Sequence, residues 1–450
     1  MSAAPRMNLR SKEGFEISVA AHLVDNALLR AFFLIPGDVL PCLIDTKSLA
    51  VYHDPDNDPP GVFAELAGSQ FQVVTYDEVY GSDDEAEHAP AAGPERRPID
   101  PARIEGMKQA LDAYVQRHYT PAFPQILAPE FAEQVGLWAA PELLRAFQLP
   151  VDARLGPAAP VPDCPPEHLL RALLKVESTA NFLVSLPVFR LDFCALLAAE
   201  IRHFNEAGMP TTRPNSMNKY GLALLQLGLD KLMDTLMKFF LGPLSKALFG
   251  DAPAPAPGPA PAGAHGPGCH PQPVSTELAL PSGPKPWPNF NVAFPAAAAL
   301  DFVYAFAIQY NSFRLEDGRP AGDVALDPHT DDSHVTLNAC VGDFQEPPPA
   351  GHQLALPGDE QAAALPAGCT AVAFTGGDLM LLGVSGAPGG AKPEEDQAVD
   401  VQNSERLSQA PGHGQLHLGA VRHAALPIDP DGRRSNVVLW MRNTAPRCAH

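Results

Sequence analysis

The run Asp327-Pro328-His329-Thr330-Asp331-Asp332-Ser333-His334 sets an imidazole two residues from a carboxylate. Side chains on an extended strand alternate between faces, so His329 and Asp331 share one face while Asp332 and His334 take the other. An imidazole and a carboxylate on one face supply two of the three donors of a facial metal site. The third donor must come from a different strand, and His423, within Leu416–Ile428, is the candidate. A turn, Asp429-Pro430-Asp431-Gly432, leads from there into the strand-like stretch Arg433–Met441. If that turn pairs Ile428 with Arg433, His423 falls opposite Val438, and residues opposite each other share a face. Arg434 lies four positions from Val438 and shares that face too; Arg433 does not. The separation is ~13 Å at ~3.3 Å per residue, a gap that an Arg side chain and a five-carbon dicarboxylate laid end to end would fill. One end of such a ligand would chelate the metal while the other accepts a bidentate bond from Arg434.

These residues need a scaffold. From about residue 298, short apolar and aromatic runs follow one another without a long helix between them: Leu300–Tyr310, Val335–Val341, Ala371–Phe374, Leu379–Leu382, Leu416–Ile428 and Ser435–Met441. Consecutive strands without helical crossovers imply an antiparallel sandwich or barrel. Two inserts rich in Pro, Gly and Ala interrupt it, 345–368 and 384–413. Upstream, 182–189 reads as a strand and 191–206 as a helix. The polar segment Arg213–Gly221 follows, then helical sequence to about Phe249. Residues 251–288 hold 12 prolines and form a linker. Three helices are predicted near 103–118, 128–148 and 165–178, the first on the apolar spacing of Ile104, Met107, Leu111 and Val115. Residues 14–76 mix short strands and helices, and 77–102 is an acidic solvated loop. The division is therefore an N-terminal mixed, α-rich region at 1–178, helical support at 179–250, the linker, and a site-bearing domain at 298–443.

Composition narrows the function. With 31 Lys plus Arg against 52 Asp plus Glu, the 450-residue chain carries a formal charge of −21. That field repels polyanions and argues against nucleic acid or an anionic membrane as partner. The seven cysteines are odd in number and never spaced as CxxC, which disfavours a zinc ribbon or a disulfide framework and favours a reducing compartment. No uninterrupted apolar core of a signal peptide follows the weakly basic Met1–Lys12, and no apolar stretch of ~18 residues exists. The expectation is a cytoplasmic or nuclear protein.

In order along the chain, His329-Thr330-Asp331, Val335-Thr336-Leu337-Asn338, Phe374-Thr375-Gly376-Gly377-Asp378-Leu379, Leu416-His417-Leu418-Gly419, His423-Ala424-Ala425-Leu426-Pro427-Ile428 and Gly432–Trp440 resemble the 2-oxoglutarate- and Fe(II)-dependent dioxygenases of the prolyl-hydroxylase-like group. More narrowly they resemble the 2-oxoglutarate- and iron-dependent oxygenase domain-containing proteins. The resemblance covers roughly 180–443. It implies an α+β fold whose core is a double-stranded β-helix (jelly roll) buttressed by helices. It implies His329, Asp331 and His423 as iron ligands and catalytic centre, Arg434 as partner of the distal carboxylate of 2-oxoglutarate, and contacts to that cosubstrate from Tyr310 and Asn338. O2 would be the oxidant and L-ascorbate a reductant. The implied reaction is hydroxylation of an unactivated C–H, on a prolyl or lysyl protein side chain, coupled to decarboxylation of 2-oxoglutarate to succinate and CO2. Collagen-type prolyl hydroxylases carry Lys at the Arg434 position, which sets this chain apart from them.

Competing readings stand beside these. His417, six residues before His423, is a rival third ligand, though its distance from Arg434 fits the resemblance less well. Tyr310 reads equally as a core aromatic. Asn338 and Asn436 line either the cavity or a solvated face. Gly376-Gly377 makes a turn or a close backbone approach. His334 reads as a surface group, and His88, His265 and His413 as solvated loop residues. Two further function classes remain: a non-catalytic jelly-roll interaction protein, and a cupin-like metal hydrolase or isomerase, which has no need of a carboxylate clamp at Arg434.

Overall fold

The computed structural model describes residues 6–11, 15–24, 26–35, 41–46, 51–52, 70–75, 101–178, 182–215, 217–218, 220–250, 299–313, 322–346, 348–349, 352–356, 365–366, 368–384 and 405–444. Most of the acidic loop and the whole Pro-rich linker lie outside them. The chain separates into two compact units. One holds Met1–Leu127, Leu197–Leu229 and Pro349–Gly351; the other holds Ala128–Leu196, Asp230–Pro348 and His352–His450.

The first unit mixes strands and helices, among them the helix Asn26–Phe33. Five strands, β1 (Arg6–Arg10), β2 (Glu16–Ala20), β3 (Pro41–Asp45), β4 (Val51–Tyr52) and β5 (Gln70–Thr75), form one sheet in the order β2-β1-β5-β3-β4. Met7, Leu9, Ile17 and Val19 are buried at alternate positions, the period-2 pattern of a sheet covered on one face. The predicted helix near 103–118 is present as Pro101–His118 and buries Met107, Leu111 and Val115. Its C-terminal neighbour Tyr119 donates its hydroxyl proton to the fully buried Glu200, whose second oxygen accepts the Phe123 N–H.

The second unit carries the strands expected to hold the site. β6 (Lys175–Ser178) and β7 (Leu183–Pro187) precede β9 (Phe302–Asn311); β8 (Gly221–Ala223) belongs to the first unit. Then come β10 (Leu326–His329), β11 (Val335–Gly342), β12 (Phe344–Gln345), β13 (Thr370–Ala371), β14 (Leu379–Val384), β15 (Glu405–Leu407), β16 (His413–Leu418), β17 (Val421–Ala425) and β18 (Arg433–Arg442). The larger sheet of this unit runs β6-β7-β16-β11-β18-β9 and the smaller β10-β17-β14-β15, both antiparallel. On β11, Val335, Leu337 and Ala339 are buried on one face and Thr336 and Cys340 on the other, so its central strand is covered on both sides. Helix Asp230–Leu236 lies against β9 and helix Pro141–Ala146 against β7. Trp138 packs edge-on to Phe240 at 6.0 Å within this helical layer.

Four sequence expectations change. The helix 128–148 is broken into Pro129–Glu133, a 3-10 turn at Val135–Leu137 and Pro141–Ala146. Each proline opens a new helix because it has no N–H to continue the preceding one. The helix 165–178 ends at Leu173, and 175–178 becomes β6. Leu416–Ile428 is two strands, β16 and β17, in different sheets. Finally, β17 and β18 are not paired. The turn at 429–432 carries the chain from the smaller sheet to the larger one. His423 therefore faces His329 and Leu381, while Val438 faces Asn338 and Phe306. The register from which His423 and Arg434 were placed on one face does not exist. Helix 191–206 occurs as Leu191–Glu206.

Candidate metal centre and carboxylate pocket

His329 closes β10 and stands directly opposite His423 on β17. Asp331 lies beyond the strand end, in the loop between β10 and β11, so strand alternation is not what aligns it with His329. Its backbone N–H donates to the Gly419 carbonyl at 2.9 Å, which turns the loop back toward β17. Asp331 Oδ1 is 3.6 Å from His329 Nε2, and Oδ2 is 3.8 Å from His423 Nε2. One donor atom from each of the three residues lies within 4.8 Å of the others.

The histidines are held in one tautomer. His329 Nδ1–H donates to the Asp327 carbonyl at 2.7 Å, and His423 Nδ1–H to the Val421 carbonyl at 2.9 Å. With Nδ1 as donor, each Nε2 keeps its lone pair for a cation. Burial pushes the pKa of both rings below the usual histidine value. The neighbouring ring lowers His329 further, while Asp331 opposes the shift at His423. Both are therefore neutral near pH 7, the form that binds metals. Two neutral imidazoles and a carboxylate fit iron(II) by the chemistry of the donor set.

His417 sits beside this cluster, not in it. It is fully buried on β16, its ring 4.9 Å from that of His423, and its Nδ1–H donates to the Leu418 carbonyl at 2.9 Å. Its Nε2 has no partner among the described residues. His334 accepts the Asn443 N–H at 3.0 Å at the end of the larger sheet. His413 is exposed; His88 and His265 lie outside the described residues.

Arg434 occupies β18 opposite Tyr310 on β9. It is 3% exposed, and its guanidinium lies over the rings of Tyr310 and Phe374, 4.7 Å and 5.5 Å from their centres. Its Nε and Nη1 are buried with no partner among the described residues. Burial lowers the Arg434 pKa, and burial pushes the Tyr310 phenol up to about 12 although the guanidinium opposes it. Gly377, with φ of +68°, passes so close that a Cβ there would lie 2.8 Å from Nη1. The glycine pair is thus a close backbone approach, one of the two readings of its sequence. A buried cation with two unused N–H groups is an arrangement whose cost an anion offsets.

Asn338 accepts a hydrogen bond from Asn436 Nδ2 at 2.7 Å, and Asn436 also reaches Gln409 Oε1 at 3.3 Å. Gln409 in turn donates to Gln415 at 3.0 Å. Asn338, Gln415 and Asn436 fall on the sheet face that carries Thr336, His417 and Arg434, as the registers and period-2 alternation require. Asn436 and Gln415 are buried and Asn338 is half-buried. The sequence assigns no role of their own to Phe374 or to Thr336, which bonds Asp331. A lone aromatic and a lone hydroxyl carry no positional signal in a single sequence. In the first unit, Asn215 caps its own turn by accepting the Met217 and Asn218 N–H groups.

The family model of the OGFOD2-like domain matches residues 163–253. A human "2-oxoglutarate and iron-dependent oxygenase domain-containing protein 2" is 27% identical over 339 residues, 75% of this chain and 67% of the relative. The Arabidopsis thaliana protein CP2 of the same description is 26% identical over 62% of this chain and 50% of the relative. The chain spans between half and about two thirds of the length of these relatives. A Pseudomonas putida prolyl-4-hydroxylase crystal structure aligns over 32% of this chain and 54% of its own at 14% identity with a TM-score of 0.18, an overlap on which no argument rests. The relatives are by name 2-oxoglutarate-dependent oxygenases, that is, oxidoreductases, and it is to this group, the 2-oxoglutarate and iron-dependent oxygenase domain-containing proteins, that the chain is similar.

Proposed function

We propose that the protein is a 2-oxoglutarate- and Fe(II)-dependent dioxygenase that hydroxylates an unactivated C–H of a protein side chain, of prolyl or lysyl type. The observation that carries this reading is Arg434: a buried guanidinium whose Nε and Nη1 have no partner among the described residues, in the same unit as a His-Asp-His cluster whose Nε2 atoms face the Asp331 carboxylate. In this reading the two antiparallel sheets are the halves of a double-stranded β-helix spanning about 298–443, with the helices of 179–250 in support.

His329, Asp331 and His423 would hold the iron. Arg434 would receive the distal carboxylate of 2-oxoglutarate on its guanidinium, with Tyr310 stacked against the guanidinium plane and Asn338 at the wall of the same cavity. The bound iron and cosubstrate would supply oxidative decarboxylation to succinate and CO2, coupled to insertion of one oxygen atom of O2 into the C–H bond. The chain's own part is positional. The backbone carbonyls of Asp327 and Val421 fix the imidazole tautomers, and the rings of Tyr310 and Phe374 keep water from the guanidinium. Ascorbate as reductant and a cytoplasmic or nuclear setting belong to the same proposal. Free thiols at Cys164, Cys194, Cys340 and Cys369 support a reducing compartment. Among the described residues no helix is long and apolar enough to cross a membrane.

The unsatisfied Arg434 weighs against a cupin-like hydrolase or isomerase, and the complete donor set weighs against a non-catalytic scaffold. The test is release of labelled CO2 from 1-labelled 2-oxoglutarate by purified protein with Fe(II) and ascorbate. Release that depends on iron and disappears in Asp331→Ala is expected. Absence of release at any iron loading, with peptide libraries present, refutes the reading.

A further inference from the structure

The two carboxylate oxygens of Asp331 are not equivalent. Thr336 Oγ1 donates to Oδ2 at 2.7 Å, and Ser333 Oγ lies 2.7 Å from Thr336 Oγ1. A hydroxyl carries one proton, so with the Thr336 proton on Asp331 the second bond must be donated by Ser333. The chain therefore runs from Ser333 to Thr336 to Asp331, each link polarising the next. Thr336 is 1% exposed, so bulk water does not compete for its proton.

Ser333 is itself held by the turn between β16 and β17. Gly419 N–H donates to the His334 carbonyl at 3.1 Å, and the Gly419 carbonyl accepts the Asp331 N–H at 2.9 Å. A Cβ at Gly419 would overlap both the carbonyl oxygen and the hydroxyl of Ser333. The same turn leads into β17, four residues before His423. The loop that carries Asp331 and the strand that carries His423 are thus locked together through a position only glycine fits.

We propose that Thr336, backed by Ser333 and Gly419, is a positioning residue of the metal centre. Both oxygens face the cluster, Oδ1 3.6 Å from His329 Nε2 and Oδ2 3.8 Å from His423 Nε2; the Thr336 bond occupies Oδ2 and so favours Oδ1 as the oxygen given to the cation. This rests on reading the cluster as a metal site. Without the Thr336 proton the carboxylate is free to rotate about its Cβ–Cγ bond, and both oxygens compete for the cation. The position that a chelating cosubstrate needs is then contested.

The experiment is a Co(II) titration of the full chain, read by visible absorption, alongside the thermal midpoint of the metal-free protein. Loss of an outer partner of a metal ligand typically costs ~10–100-fold in affinity. Thr336→Val, which keeps shape and removes the hydroxyl, is expected to bind Co(II) within that range more weakly and with an altered band pattern. Thr336→Ser is expected to restore both. Wild-type affinity in Thr336→Val, or equal weakening by Val and Ser, overturns the proposal. Should Thr336→Val fail to fold, Ser333→Ala carries the test: weaker Co(II) binding at an unchanged metal-free midpoint is expected, and unchanged affinity overturns it. If wild type itself binds no Co(II), the metal reading falls first, and the two failures are told apart.

Discussion

Replacing Arg434 with Met should stabilise the metal-free protein and destroy cosubstrate binding in one step. In the free protein the guanidinium is 3% exposed with Nε and Nη1 unpaired. An unsatisfied buried donor costs ~1–3 kcal/mol, and more when charged. Met fills a similar volume and removes that cost. It forfeits the stacking of the guanidinium over Tyr310 and Phe374, which returns ~0.5–2 kcal/mol. Two unpaired nitrogens make the cost ~2–6 kcal/mol, so the balance is a gain of ~0–5 kcal/mol, which raises the midpoint by ~2–4 °C per kcal/mol. Binding moves the other way. Losing a buried, charge-assisted pair costs ~3–5 kcal/mol, since the carboxylate is left buried and unpaired. At 1.4 kcal/mol per decade that is about 10²–10³-fold or more in 2-oxoglutarate affinity. The assay is thermal unfolding of wild type and Arg434→Met in the presence of Zn(II), with and without 2-oxoglutarate. Wild type should gain stability with ligand concentration as mass action requires; the variant should start higher and gain nothing. A variant that unfolds earlier than wild type and still responds to 2-oxoglutarate refutes the reasoning on both counts.

Other outcomes follow from the same geometry. Gly377→Ala places a Cβ against Arg434 Nη1 at a φ of +68° and should cost ~1–3 kcal/mol in stability, while weakening 2-oxoglutarate binding more than Zn(II) binding, measured by calorimetry. Gly419→Ala should abolish Co(II) binding, because Ser333 must move and Asp331 with it; retention of wild-type affinity refutes the lock between the two loops. His329, His417 and His423 all have folded-state pKa values below 6.5. Below that value the unfolded chain takes up protons that the folded chain refuses. Metal-free stability should therefore fall as pH drops below about 6.5. Denaturant midpoints across pH 5–8 check this, and a flat profile contradicts it.

The site was legible further than the path that led to it. The His-x-Asp spacing points to two donors, and the resemblance names His423 and Arg434 although the register that also placed them does not exist; the structure brings His329, Asp331 and His423 within reach of one another. Yet two supporting steps failed. Asp331 is aligned by a loop clamped to Gly419, not by strand alternation. The turn at 429–432 reverses the chain without pairing its flanks, because turn residues report a change of direction and not which sheet the next strand joins. Pro129 and Pro141 were read inside a long helix although each begins a new one. Ser333, Thr336 and Gly419 stand in the motif segments, but the sequence assigns them no role, since their roles exist only once β11 and the β16–β17 turn are brought beside Asp331.

The central claim is tested most directly by an anaerobic titration of the purified protein with Fe(II) and then 2-oxoglutarate, watching the visible spectrum. The account predicts a weak metal-to-ligand charge-transfer band that saturates with cosubstrate, is lost in Asp331→Ala, and is strongly weakened in Arg434→Ala. A folded, iron-loaded protein that shows no such band, or a band indifferent to Arg434, would contradict it.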